Sequence, residues 1–152
     1  MIQQITDAGV KMIAQFEGFS DKAYNDPPGS DKWSIGFGHQ IQPGEPYMTY
    51  TMTVEEGRAL LAQDTAKAQA TVRNAITYPL TPAQFDALTS FVYNLGAGAF
   101  TSGTIPAKLN AGNLPAAAAT ILQYNKVRQL DGTLAVSDAL TTRRQAEAAA
   151  FV

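Results

Sequence analysis

Hydrophobic and polar positions along the chain follow two different periods. Near the N-terminus Val10, Ile13 and Phe16 recur every third residue, which predicts a helix over about 6–17. Residues from about 20 to 52 instead contain short alternating runs between prolines and glycines, and this pattern is typical of a small antiparallel sheet with loops. The first third of the chain is therefore predicted to be a helix followed by a sheet lobe.

Helical spacing returns after residue 52. Thr53–Glu56 has the pattern of a capping box, and the apolar positions behind it predict one long helix over about 54–77. A second capping box at Thr81–Gln84 opens a helix with a broad apolar stripe, and Ser137 can cap a last helix that reaches Phe151. Residues 127–136 read as a loop. The sequence thus predicts an α+β fold in one domain over 1–152. Its sheet lobe at about 20–52 is joined by the long helix to a larger helical lobe at about 81–152, which also includes the N-terminal helix.

Composition limits the function. The 152 residues are 45% hydrophobic and 16% charged, as in an ordinary globular protein, and include one histidine and no cysteine. Neither a metal site nor another cofactor is expected. The net charge of −2 argues against nucleic acid as a partner, and no apolar run is long enough to span a membrane. The N-terminal residues have neither the basic nor the apolar region of a signal peptide, so none is expected.

Two carboxyl groups with opposite surroundings are the candidate chemistry. Glu17 follows an apolar helix face, a setting that favours a protonated carboxyl group, whereas Asp26 precedes a Pro-Pro-Gly turn that water can reach. Ser34 adds a hydroxyl on a predicted strand that runs from Trp33 to His39. General acid–base hydrolysis of a glycosidic bond requires such a pair of carboxyl groups.

The same residues resemble a known family. Glu17-Gly18, Tyr24-Asn25-Asp26, Gly29 and the run Ser34–His39 follow in order the motif of the phage-type (T4-like) lysozymes, the muramidases of the endolysin family. The similarity extends over nearly the whole chain. There are two departures, because the family's usual threonine is Ser34 here and the loop from Asp26 to Ser34 is longer than in the best-known relative.

The resemblance implies a lysozyme-like fold and an activity. The expected reaction is hydrolysis of the β-1,4 bond between N-acetylmuramic acid and N-acetylglucosamine in bacterial peptidoglycan, with inversion at the anomeric carbon. Glu17 would protonate the leaving oxygen. Asp26 would stabilise positive charge and, with Ser34, hold the attacking water.

Five further residues are predicted to bind sugar or to support the site. The candidate sugar contacts are Gln40, Tyr93 and Thr104; the resemblance supports Tyr93, at a position that faces the cleft, and Thr104, where the family has a substrate-contacting hydroxyl. His39 and Arg143 are expected to support the site, and the resemblance places Arg143 beside Glu17. Simpler interpretations remain open, since Thr104 can cap a helix and Arg143 can form a surface ion pair with Glu147.

Two other functions are possible on the residues alone. One is a non-catalytic peptidoglycan-binding module on the same fold. The other is a serine hydrolase using Ser34, His39 and Asp26, although no nucleophile elbow is present and two residues five apart on one strand point to opposite faces.

The expected enzyme is a monomer made in the host cytoplasm. A holin or a virion would then bring it to the cell wall.

Overall fold

The computed structural model describes residues 2–152, which form two compact units. The sheet unit comprises residues 6–67, and the helical unit comprises residues 2–5 together with 68–152. The N-terminal helix thus groups with the sheet, whereas the sequence analysis expected it with the helical lobe. Residue 1 lies outside the described part. No helix within residues 2–152 is long and apolar enough to cross a membrane.

The sheet unit contains two helices, three strands and a short 3-10 turn. In chain order these are α1 (Asp7–Glu17), β1 (Ser20–Asn25), β2 (Trp33–Gly36), β3 (His39–Gln40), the 3-10 turn Pro46–Thr49 and α2 (Val54–Asp64). The strands are antiparallel in the order β1-β2-β3. Their core consists of the buried Ile35, Met52 and Leu60, with Ile41 and Tyr47 packed against them. The three strands fall within the predicted range of about 20–52.

The run from Trp33 to His39 is a hairpin rather than the predicted single strand. β2 ends at Gly36, residues 37–38 form a turn, and His39 pairs with Ile35 from the neighbouring strand. Gly36 has a φ of 67°, and a Cβ there would lie 2.9 Å from the sulfur of Met52. The backbone therefore needs glycine both to leave the strand and to approach Met52.

The predicted long helix over about 54–77 is wrong in detail, because it is two helices. α2 ends at Asp64, and α3 spans Ala66–Ala75. Between them the buried Thr65 donates its hydroxyl to the carbonyl oxygen of Ala62 at 2.7 Å. Such a bond from a threonine back to the preceding turn disturbs regular helix geometry. The boundary between the two units also falls here, after residue 67.

The helical unit holds the larger core. After α3 its elements are α4 (Pro82–Leu95), α5 (Ala97–Ser102), α6 (Ile105–Asn110), α7 (Leu114–Leu122), β4 (Lys126–Arg128), β5 (Leu134–Val136), α8 (Asp138–Ala148) and the 3-10 turn Ala149–Phe151. α4 begins with the predicted capping box, in which Thr81 and Gln84 bond each other's backbone. The loop prediction for 127–136 is wrong, since β4 and β5 pair as a hairpin.

Candidate active site

Glu17 is the last residue of α1. Thr6 caps the helix by accepting a bond from the Gly9 N–H at 3.1 Å. The helix stops at Gly18, which has a φ of 71°, a conformation open to glycine but strained for other residues. The half-buried Glu17 side chain lines an open pocket of about 310 Å³ together with Phe19, Tyr24 and Gly36. The sequence therefore places a carboxyl group at the edge of an apolar helix face, as expected.

Asp26 lies in an exposed loop that is closed by hydrogen bonds. Its backbone N–H donates to the Lys32 carbonyl oxygen at 2.9 Å. The Asn25 side chain holds the same loop, since it accepts from the Gly29 N–H at 2.6 Å and donates to the carbonyl oxygens of Ser30 and Lys32, each at 2.8 Å. The Asp26 carboxyl group is thus exposed to water on a loop with an ordered backbone.

Ser34 occupies the centre of a row of side chains across the sheet. Its cross-strand neighbours are Tyr24 on β1 and Gln40 on β3, and directly opposed residues point to the same face. Ser34 itself is buried, with 6% of its surface exposed. This row places the predicted catalytic residue Ser34 next to the predicted sugar contact Gln40.

Tyr24 connects the three predicted catalytic residues. Partial burial raises the pKa of its phenol, and the negative charges of Asp26 and, more weakly, Glu17 raise it further. A side-chain hydrogen bond with Ser34 acts in the opposite direction. Tyr24 therefore lies within electrostatic range of both carboxyl groups and directly opposite Ser34 in the sheet. Tyr24 was not among the predicted site residues, although its place on a strand two residues before Asp26 was the available signal.

His39 uses both ring nitrogens in ion pairs. Nδ1 lies 2.8 Å from Asp64 Oδ2, and Nε2 lies 2.9 Å from Glu45 Oε1. Burial alone would lower the His39 pKa, but the hydrogen bonds and charges of Glu45 and Asp64 raise it above its ordinary value. The Glu45 pKa is lowered, chiefly by the Gln42 N–H and then by His39. His39 thus ties β3 to α2 and to the 42–45 loop.

Ser34 and His39 do not form a nucleophile–base pair. His39 pairs with Ile35, the neighbour of Ser34, so the two side chains point to opposite faces of the sheet. The expected separation of the two side chains holds, but because of the hairpin rather than because of one continuous strand. With its nitrogens bonded to Asp64 and Glu45, the ring cannot take a proton from Ser34.

The helical unit carries the other predicted sugar contacts. Tyr93 on α4 is half-buried and packs against the core. Thr104 is exposed just before α6 and makes no side-chain capping bond. The capping interpretation of Thr104 is wrong, because the residue has helical backbone angles (φ −97°, ψ −6°) and not the extended ones that direct a capping side chain at the first turn.

Arg143 is buried, so its interpretation as half of a surface ion pair is wrong. Its exposed fraction is 4%, and those of Arg144 and Glu147 are both 0%. Glu147 Oε1 accepts from the Ser90 hydroxyl at 2.7 Å and lies 3.3 Å from Arg143 Nε. Arg144 Nε lies 2.8 Å from Glu147 Oε2. Burial is the main cause that raises the Glu147 pKa and lowers the Arg144 pKa. Ser90, Arg143, Arg144 and Glu147 thus form a buried polar network that links α8 to α4.

Comparison with known proteins shows where such a chain belongs. The family model described as phage lysozyme matches residues 14–147. The chain belongs to the phage lysozyme family. It is 35% identical over 149 residues to an endolysin of Acyrthosiphon pisum secondary endosymbiont phage 1, and the match covers 97% of both proteins. The family resemblance carried by the Glu17–His39 motif is thereby confirmed.

Solved structures confirm the lysozyme-like α+β fold. The muramidase domain of SpmX from Asticaccaulis excentricus is 33% identical, with a TM-score of 0.85 over 99% of this chain and 98% of that domain. The endolysin from Escherichia coli O157:H7 phage FAHEc1 is 35% identical, with a TM-score of 0.84 over 98% of this chain and 93% of that protein. This member of the phage lysozyme family is a lysozyme-type glycoside hydrolase and an endolysin-type enzyme that hydrolyses peptidoglycan.

Proposed function

We propose that this phage lysozyme cleaves the β-1,4 bond between N-acetylmuramic acid and N-acetylglucosamine with Glu17, Asp26 and Ser34. The observation that carries the assignment is the position of Tyr24, which lies opposite Ser34 in the sheet, lines one pocket with Glu17 and precedes Asp26 by two residues. Three groups predicted independently to act in catalysis are thus near neighbours of one side chain in the sheet unit.

Glu17 acts as the general acid. The carboxyl group at the end of α1 gives its proton to the glycosidic oxygen as the bond from that oxygen to the anomeric carbon breaks. General acid catalysis of this kind contributes about 10²–10⁴-fold to the rate.

Asp26 and Ser34 act on the water. The exposed carboxylate of Asp26 stabilises positive charge on the sugar ring and takes the proton of the attacking water, while the Ser34 hydroxyl helps to hold that water. Attack from the face opposite the leaving group inverts the configuration, and this geometry needs carboxyl groups about 6.5–9.5 Å apart. Proton NMR should therefore detect the α-anomer first, and the β-anomer as first product would contradict inversion.

The remaining predicted residues act around this centre. Gln40 contacts sugar beside Ser34, as Tyr93 and Thr104 do from the helical unit. Arg143 supports Glu17, and His39 holds β3 in position through Asp64 and Glu45. Substitution of each to alanine should raise KM for the three sugar contacts and lower kcat for Arg143 and His39.

The test of the proposed function is the chemical identity of the new chain end. Purified peptidoglycan is incubated with the full chain, reduced with borohydride and hydrolysed. A muramidase yields reduced muramic acid. Reduced glucosamine alone would indicate cleavage of the other glycosidic bond. Wall binding without any new reducing end would favour the non-catalytic binding module.

The route to the cell wall and the oligomeric state of the enzyme are also proposals. We infer that the enzyme acts as a monomer and reaches the wall from the host cytoplasm through a holin lesion or inside a virion. Expression in a bacterium should cause lysis only when a holin is produced as well. Rapid lysis without a holin would contradict this route, and light scattering of the purified chain tests the monomer.

A further inference from the structure

We propose that the hairpin of β4 and β5 docks the enzyme on the surface of an anionic phospholipid bilayer. The hairpin extends from Asn125 to Ser137 and lies wholly in the helical unit. It would lie in the headgroup layer and span nothing, as an amphipathic surface element does. Binding of this kind is separate from glycan cleavage and does not rest on the proposed function.

The two strands place four side chains on one face. They pair in a regular register: Lys126 with Val136, Val127 with Ala135, and Arg128 with Leu134. Directly opposed residues of an antiparallel pair point to the same face, and successive residues point to opposite faces. One face therefore carries Lys126, Arg128, Leu134 and Val136, and we call it the outer face.

The opposite face of the hairpin turns toward the body of the helical unit. On that face the Asn125 side chain donates to the Thr141 hydroxyl on α8 at 3.0 Å, and Ala135 is partly buried. All four residues of the outer face are exposed, and Leu134 and Val136 leave 58% and 60% of their surfaces in water. The outer face is thus directed away from the helical core.

The tip of the hairpin adds a fully exposed leucine, Leu130. An ordered turn holds it there. The Gly132 N–H donates to the Gln129 carbonyl oxygen at 3.0 Å, and Arg128 Nη1 donates to the Gly132 carbonyl oxygen at 2.6 Å. Leu130 therefore projects from a closed loop and not from a frayed end.

Exposed aliphatic side chains are concentrated in this part of the helical unit. Within residues 68–151, every large apolar side chain that is strongly exposed lies between 122 and 136: Leu122, Val127, Leu130, Leu134 and Val136. Single exposed apolar residues are ordinary on a protein surface, whereas a group of them on one element indicates an interaction site.

The charges of the hairpin select an anionic surface. β4 contributes Lys126 and Arg128 to the outer face, beside the aliphatic residues of β5. The carboxylate within 125–137 is Asp131, and it accepts bonds from the N–H and the hydroxyl of Thr133. The hairpin is therefore locally positive, although the chain has a net charge of −2.

A bilayer surface matches this arrangement of cations beside aliphatic side chains. Lipid phosphates can pair with the two cations, while the leucine and valine side chains enter the boundary between headgroups and acyl chains. A protein partner fits less well. Protein interfaces derive most binding energy from Trp, Tyr and Arg, with Leu and Val under-represented, and residues 125–137 include no aromatic side chain.

Co-sedimentation of the full chain with lipid vesicles tests the proposal. Vesicles of equal parts phosphatidylglycerol and phosphatidylethanolamine should bind the wild type, vesicles of phosphatidylcholine should not, and added NaCl should weaken binding. Leu130→Ser should lower the partition constant about tenfold and Lys126→Gln about fivefold. The matched controls are Ile2→Ser, an exposed aliphatic residue, and Lys11→Gln, an exposed cation on α1, and neither should change binding.

A fluorescent label at the tip shows which element touches the lipid. The chain contains no cysteine, so Leu130→Cys supplies one site for an environment-sensitive dye. Its emission should shift to shorter wavelength with the anionic vesicles. The same dye on Ile2→Cys should not respond. Reducing-end release from purified peptidoglycan, which contains no lipid, should be the same in Leu130→Ser, Lys126→Gln and the wild type.

Binding to the anionic vesicles that is lost in Leu130→Ser and Lys126→Gln, together with the emission shift, supports the proposal. A wild type that does not sediment with these vesicles overturns it, as does binding that both variants keep. A concentration-dependent dimer in analytical ultracentrifugation that Leu130→Ser abolishes, without vesicle binding, would show instead that the hairpin contacts a second copy of the chain.

Discussion

Tyr24 and Ser34 face each other across β1 and β2, so their side chains lie on the same face of the sheet, and a bond to Ser34 lowers the pKa of the Tyr24 phenol. The pair lies within range of the Asp26 and Glu17 charges. Tyr24 therefore restrains the Ser34 hydroxyl, which lacks the methyl group that limits the rotation of a threonine.

Tyr24→Phe removes this restraint without removing the ring. One hydrogen bond contributes about 0.5–1.5 kcal/mol, so kcat should fall roughly 2- to 10-fold while KM is nearly unchanged. Steady-state rates of reducing-end release provide the measurement. Tyr78→Phe, a change of the same kind in the helical unit, is the control. A Tyr24→Phe enzyme with the full kcat would show that the hydroxyl does not position Ser34.

Ser34→Ala tests the hydroxyl itself. Loss of the group that holds the water should lower kcat by about tenfold or more, since water must then be positioned by Asp26 alone. Ser34→Thr keeps the hydroxyl and adds the restraining methyl, and should retain or raise kcat. Both variants should release the same anomer first, which NMR can follow. A fully active Ser34→Ala would remove Ser34 from the mechanism.

Asp26→Asn and Asp31→Asn separate the two carboxylates of one loop. Asp26→Asn should lower kcat at least about 100-fold, because it removes the charge that stabilises the sugar cation and the base for water. Asp31→Asn should leave kcat within twofold. Measurement of kcat and KM for both variants on the same peptidoglycan shows which aspartate acts in catalysis. A larger loss of kcat in Asp31→Asn would mean that the wrong aspartate is assigned.

Most helices could be predicted from the sequence because their signals are local. Thr6, Thr81 and Ser137 each accept a backbone N–H from the first turn of the predicted helix. At Thr53 only half of the predicted box forms. Its hydroxyl caps α2, but the Glu56 side chain does not bond the Thr53 backbone, and the Glu56 charge lies near Tyr50, where it raises the pKa of that phenol. A side chain brought near by the fold replaced the local partner.

The sequence-based predictions failed in segments where the spacing of apolar residues carries no information. Thr65 separates α2 from α3 through a bond from its hydroxyl to the Ala62 carbonyl oxygen, which the spacing of Leu61 and Ala68 does not show. The hairpin of β4 and β5 has three-residue strands that are largely exposed, so no buried face marks them. Tyr24 was missed as a site residue because its partners are two charges and one hydroxyl, which are brought together only by the fold.

His39 makes the stability of the sheet unit dependent on pH. Its pKa is raised in the folded protein, so its stabilising contribution is complete below the ordinary pKa of about 6.5 and is lost as the pH rises through the folded-state value. Tm should therefore fall across this window, and Asp64→Asn should weaken the dependence. NMR titration of this single histidine gives the pKa directly. A value below 6.5 would contradict the ion pairs as its cause.

Reducing-end release by Glu17→Gln tests most directly whether Glu17 is the proton donor. Glutamine keeps the shape but has no acidic proton to transfer, so kcat should fall by at least about 100-fold, with Tm preserved. Glu55→Gln, an exposed change in the first turn of α2, is the control and should remain fully active. A Glu17→Gln enzyme that keeps more than about a tenth of the wild-type kcat would contradict the account.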